Sequence, residues 1–242
     1  MKQFVVFLAV FGVLGAPSWG QTTFQEQANR LQNINAYLLD LRPAGFPLVP
    51  ERNRLELVFD LNPQPTINTR VGNKDEPVDP PSVVPKLRGR YYFGKGFMLG
   101  GSFAPGIEFE DYKAETIALE LAYRKQLLGL NFSLRASYGD GNVKGPITEP
   151  GAEDDFEFRN TGLDLSVGKG FEHWQVYGFV GGNDIETSLD IQVDGVHLDN
   201  EDSTLYLGAG VAYLWDHWGV TLEQNLTDDY LQHLILSISY RL

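Results

Sequence analysis

Four histidines, His173, His197, His217 and His233, are the candidate bases in a chain of 242 residues that contains no cysteine. His173 and His217 sit in short turns, where a solvated or interfacial side chain is expected. His233 and Ser237 share one face of an alternating segment, but at about 3.3 Å per residue they stand roughly 13 Å apart. That gap is too wide for a base to take a proton from a hydroxyl. Asp154-Asp155 and the pair His197 and Asp199 lie in acid-rich stretches where such neighbours are common. Asp190 to Asp202 lacks the spacing and central glycine of an EF-hand. The missing cysteines remove disulfides, thiol nucleophiles and cysteine-ligated zinc together. No phosphate-cradling glycine loop, nucleotide fingerprint or triad motif is present. The expectation is a protein without catalysis, cofactor or dedicated metal site, binding divalent cations only loosely at its acidic stretches.

The other charged residues fall on a period of two. Lys86, Arg88 and Arg90 alternate with Leu87 and Gly89. Pairing the hairpin around Lys95 sets Arg90 opposite Gly100, Arg88 opposite Ser102 and Lys86 opposite Ala104, so long cations face small residues. A two-residue turn at Leu127-Leu128 places Glu120 opposite Arg135, and one at Asp216-His217 places Glu223 opposite Gly210. The inward set then comprises Arg54, Glu56, Lys86, Arg88, Arg90, Glu120, Arg124, Arg135, Asp164, Glu223 and Arg241. Unpaired charge in a confined space is costly, so the expected role of Lys86, Arg88, Arg90, Glu120, Arg135 and Glu223 is a salt-bridge network that plugs a lumen. The alternative is a narrow pore for small solutes or ions, with the basic stripe facing carboxylates across a constriction.

The elements that position these residues are strands. From Arg54 to Leu242 apolar and polar residues alternate in ten segments of roughly nine to twelve residues, the length of a tilted membrane strand. Turns at Gly94-Lys95-Gly96, Gln126 to Gly129, Gly170 to His173 and Asp216-His217 are tight. Connections near 62–82, 140–156 and 188–202 read as long loops, with shorter ones near Glu110-Asp111 and Asp228-Asp229 on the same side. Gly100, Gly208, Gly210 and Ala212 stud the polar face, where they make room in a narrow lumen. Tyr91, Phe93, Phe97, Tyr123, Tyr138, Tyr213, Trp215 and Trp218 gather near strand ends on the apolar face, as interfacial girdles do. The fold class is all-β: an up-and-down antiparallel transmembrane β-barrel of ten strands, with eight or twelve as the neighbouring counts.

The segment ahead of the strands divides in two. Lys2, the apolar run Phe4 to Leu14 and the small residues around Ser18-Trp19-Gly20 read as a secretory signal peptide over 1–20, and the run is too short to cross roughly 30 Å of hydrocarbon. Residues 21–52 form an N-terminal segment expected in the periplasm. Phe24, Ala28, Leu31, Ile34, Leu38 and Leu41 fall on one face of a helix over about 23–41, with a Thr23/Glu26 capping box and a stop at Pro43 to Gly45. A lid packed against the barrel is the plain expectation; lying in the membrane interface or plugging the lumen are the alternatives. Residues 53–242 form the barrel.

The last strand resembles that of bacterial outer-membrane β-barrel proteins, whose terminal strand carries alternating apolar residues with an aromatic third from the end and a terminal phenylalanine. Leu234, Leu236, Ile238 and Tyr240 match, and Leu242 departs. The resemblance implies residence in the outer membrane, contact with its lipid, and recognition by the barrel-assembly machinery through this strand. It also raises outer-membrane hydrolases, proteases or lipid-modifying enzymes, as a lesser alternative; the order and spacing of Asp154, Asp155, His197 and Asp199 do not match the ten-strand proteases. The formal charge of −13, from 32 Asp+Glu against 19 Lys+Arg, excludes a general nucleic-acid binder. Most of the acidic residues fall in the long connections, so the acidity marks one end of the barrel, expected to be the cell exterior.

Overall fold

A computed structural model describes residues 24–40, 42–50, 53–63, 83–106, 108–109, 111–147, 153–192, 195–227 and 232–242. The signal peptide, Thr23, most of the 62–82 connection and Asp228-Asp229 lie outside these residues.

Period-two patterning produces strands throughout. They are β1 Arg54–Pro63, β2 Val83–Tyr92, β3 Phe97–Ala104, the two-residue β4 Glu108–Phe109, β5 Tyr112–Leu127, β6 Leu130–Gly145, β7 Asp154–Phe171, β8 Trp174–Ile191, β9 Val196–Trp215, β10 Trp218–Thr227 and β11 Gln232–Arg241. Each pairs antiparallel with its sequence neighbours, and β3 pairs with β5 while β4 merely prolongs that edge. The ring closes where β1 meets β11, from Glu56 opposite Arg241 to Leu61 opposite Leu236. Leu55 and Leu242 exchange backbone hydrogen bonds there at 3.3 and 2.9 Å. The result is a closed up-and-down barrel of ten strands, in which every long strand finds a partner on each side.

Strand length departs from expectation. β5 and β6 run 16 residues, β7 and β8 18, and β9 20. The stretches 140–156 and 188–202, expected as loops, are mostly strand, and the connections shrink to the few residues between β6 and β7 and between β8 and β9. The physical reason is an inversion of the alternation along each strand. Toward the tight turns the outward residues are apolar, with Leu121 56% and Leu134 51% exposed, while inward Glu120 and Glu223 are sealed at 1% and 0%. Further along, Val143, Phe156, Phe158, Ile185, Leu189, Ile191 and Leu198 are buried inward. Asp140, Glu157, Arg159, Asp184, Glu186, Asp190, Asp199 and Glu201 alternate with them and face out. A strand bathed in lipid turns its apolar side out, and one bathed in water turns it in. These strands do both in succession, so a membrane-embedded ring continues into a water-exposed crown with an apolar core of its own.

That core encloses the helix. α1 Phe24–Asp40 touches β5, β6, β7, β8 and β9. Ala28, Leu31, Ala36, Tyr37 and Leu39 pack in one cluster with the inward apolar residues of the crown. Its polar residues also find the wall: Thr187 Oγ1 donates to Gln32 Oε1 at 3.0 Å, Asn33 Nδ2 to Asp202 Oδ2 at 2.5 Å, and Asn200 Nδ2 to Asn33 Oδ1 at 2.7 Å. The helix therefore lies within the barrel, the plugging alternative rather than the lid. An amphipathic pattern alone does not separate a lid from a plug, because either position offers one apolar and one polar neighbour.

Candidate functional site

After α1 the chain runs down the lumen as an irregular strap, and the wall grips it at Pro43. No helical partner exists for this carbonyl, and three arginines supply donors: Arg88 Nη1 at 2.7 Å, Arg90 Nη2 at 2.9 Å and Arg135 Nη1 at 3.0 Å. Arg135 Nη2 also donates to the Arg42 carbonyl at 3.1 Å. Glu120 balances the cations, with Oε2 3.1 Å from both Arg90 Nη2 and Arg135 Nη1 and Oε1 3.9 Å from Arg88 Nη1. Asp60 takes Arg88 Nη2 at 2.8 Å and the Ser237 hydroxyl at 2.5 Å. Asp164 takes Arg135 through Nε at 2.8 Å and Nη2 at 2.7 Å. Three buried guanidinium groups thus meet three buried carboxylates. Buried charge is tolerable only when paired and hydrogen-bonded in this way.

Glu223 holds the strap from another part of the wall. Its two oxygens accept the backbone N–H groups of Ala44 and Gly45, each at 3.0 Å, and also the Tyr177 hydroxyl at 2.7 Å and Asn225 Nδ2 at 3.1 Å. Gly45 has φ +66°, a left-handed conformation natural to glycine, and a Cβ there would lie 2.6 Å from Arg90 Nη1.

An aromatic column fills the space beside the strap. Ring centroids step from Phe46 to Tyr177 (6.3 Å), Phe179 (6.4 Å), Tyr206 (6.2 Å) and Tyr37 of the helix (6.2 Å). Gly210 and Gly208 make this stack fit, since an added Cβ would run into the Tyr177 and Phe179 rings respectively. Toward the tight turns, Arg124 Nη1 donates to the Leu48 carbonyl at 3.3 Å and its guanidinium lies 4.9 Å over Tyr92. Tyr92 donates to Glu56 at 2.6 Å, and Arg241 Nε to the other oxygen of Glu56 at 3.0 Å. A cavity of about 30 Å³ beside the strap, lined in part by Pro43, Glu56, Arg90 and Ser239, has room for about one water.

Five of the six residues picked from sequence gather on one side of the strap. Arg88, Arg90, Glu120 and Arg135 form the clasp, while Lys86 is buried one step further along β2, opposite Asp60. Glu223 faces the strap independently and stands opposite Gly210, as expected. The observed registers also include Arg90 opposite Gly100 and Arg88 opposite Ser102. Glu120 is opposite Ser137, not Arg135, because the turn is Leu128-Gly129, with φ of 53° and 75°. Arg135 is long enough to reach Glu120 diagonally. Sequence reasoning missed Asp60, whose alternation was visible, and the Pro43 carbonyl, which no side-chain pattern reveals.

The hydrolase candidates stay apart from this clasp. His197 lies on the outer wall of the crown, with Nδ1 2.6 Å from Asp190 Oδ1 and Nε2 3.2 Å from Asp199 Oδ1. The hydrogen bond to Asp190, then the charges of Asp199 and Asp190, raise its pKa above the ordinary value. Asp155 pairs instead with Lys144 at 2.9 Å and Asn142 at 2.6 Å. His233 is buried on β11 while Ser237 is committed to Asp60.

No protein-family model and no curated protein sequence matches the chain. Solved structures similar to it include Ail, the attachment invasion locus protein of Yersinia pestis, at 12% identity, covering 80% of this chain and 100% of that one with a TM-score of 0.32. The Ralstonia pickettii toluene transporter TbuX is similar at 10% identity over 85% of this chain and 93% of that one, TM-score 0.33. The KdgM porin is similar at 9% identity over 77% and 98%, TM-score 0.33. All three are outer-membrane β-barrel proteins. With an apolar belt outside, a polar lumen inside and the strands paired around the ring, the chain is a closed antiparallel up-and-down β-barrel.

Proposed function

We propose that this protein works as a sealed outer-membrane barrel with a structural or surface-interaction role, presenting its acidic crown to the cell exterior. The clasp on Pro43 carries this reading: a strap held by Arg88, Arg90, Arg135 and Glu223 occupies the path a solute would take. The partners that follow are membrane lipid around the apolar belt and the barrel-assembly machinery at β11. Divalent cations would bind loosely along the outward Asp and Glu rows of β7, β8 and β9, more weakly as salt rises. Conductance in planar bilayers tests the seal. A silent trace from the full chain supports it, and stable open steps would favour a narrow pore.

A further inference from the structure

We infer that the strap threads the barrel outward, so that the chain entering α1 emerges at the crown and is displayed on the cell surface. The contacts run in one direction along the sequence. Asn53 Oδ1 accepts the Gly94 N–H in a tight turn at 2.9 Å, and Leu48 meets Arg124 low on β5. Pro43 then sits at the clasp, Gln32 meets Thr187 of the crown, and Asn33 meets Asn200 and Asp202 there. Continuing backward, Ala28 and Leu31 belong to the same cluster as Ile191 and Leu198, which flank the β8–β9 connection at the far end. Burial follows the same course: Leu31 to Ile34 are buried, whereas Gln25, Glu26 and Arg30 are exposed.

The strap passes the clasp on its way from the tight turns to the crown, with a small cavity beside Pro43. Any sequence joined ahead of Phe24 would be carried out with it.

This inference rests on the proposed orientation of the crown, and single cysteines separate the two because the chain has none of its own. Gln25→Cys, Gln192→Cys and Lys95→Cys mark the helix start, the crown and a tight turn, all at exposed positions. Each full-length variant is treated on intact cells with a maleimide carried on a polymer too large for porins, then again after permeabilisation. The expected result is labelling of Gln25→Cys and Gln192→Cys on intact cells, with Lys95→Cys labelled only after permeabilisation. Labelling of Gln192→Cys but not Gln25→Cys on intact cells would overturn the threading and leave the orientation standing. Labelling of Lys95→Cys but not Gln192→Cys would overturn the orientation and surface display with it. Heat-shifted migration in SDS checks folding, and Glu26→Cys replaces Gln25→Cys if that variant fails to fold.

Discussion

Glu223 receives the backbone N–H of Gly45 at 3.0 Å and so ties the lumenal strap to β10 without any side chain from the strap itself. The same carboxylate takes the neighbouring Ala44 N–H and the Tyr177 hydroxyl. Specificity here lies in the shape of the turn, which Gly45 makes possible through its positive φ.

Changing Glu223 to Ala strands those donors in a buried site. Each unmet donor costs about 1–3 kcal/mol, so a loss of about 3 kcal/mol or more is expected. Glu223→Gln keeps one good acceptor and should lose less. The midpoint of the heat-induced shift in SDS migration reads this order, and equal midpoints for Glu223→Ala and the parent would contradict it.

Glu120 is the shared counter-ion of Arg88, Arg90 and Arg135. Removing it as Glu120→Ala leaves adjacent buried cations and should destabilise by about 3–5 kcal/mol, as breaking buried pairs does. Adding Arg90→Ala to that variant should recover part of the loss, because one uncompensated charge goes with it. Losses that simply add in a urea titration would show that the cluster is not coupled.

At Gly210 the prediction is steric. A Cβ there meets only the Tyr177 ring among its nearest neighbours, so Gly210→Ala should cost about 1–3 kcal/mol through overpacking. Combining it with Tyr177→Leu should cost less than the two changes summed. Additive costs would remove the ring contact as the reason for glycine at this position.

His197 supplies the pH dependence. Its folded pKa is raised by Asp190 and Asp199, so the stabilisation is fully present below the ordinary histidine value of about 6.5 and fades as pH rises through the higher folded value. The imidazole resonances followed by NMR should titrate above 6.5, and Asp190→Asn should move the midpoint down. An unshifted midpoint in both proteins would sink the assignment. The site is exposed, so its effect on global stability should be small.

Much of the barrel was legible because lipid imposes a strict rule: strands must alternate and must pair, and Ile117, Leu119 and Leu121 announce both. The lumenal cations were legible for the same reason, since Arg88 and Arg90 have no other face to occupy. The crown was obscured by its acidic residues. Asp155, Asp190 and Glu201 suggested loops, although Phe156 and Phe158, or Leu189 and Ile191, keep the two-residue period with its sides exchanged. The helix location was hidden because an apolar stripe specifies only that something covers it. The clasp was half visible, as the arginines carry a side-chain signal whereas the Pro43 carbonyl that they hold carries none.

Single-channel recording on the full chain, beside Glu120→Ala and Glu223→Ala, addresses the sealed lumen most directly. The clasp predicts a silent parent, with open steps appearing once either anchor of the strap is removed. A parent that conducts steadily, with a selectivity that changes in Arg88→Ala or Arg90→Ala, would contradict the seal and make the lumen a pore.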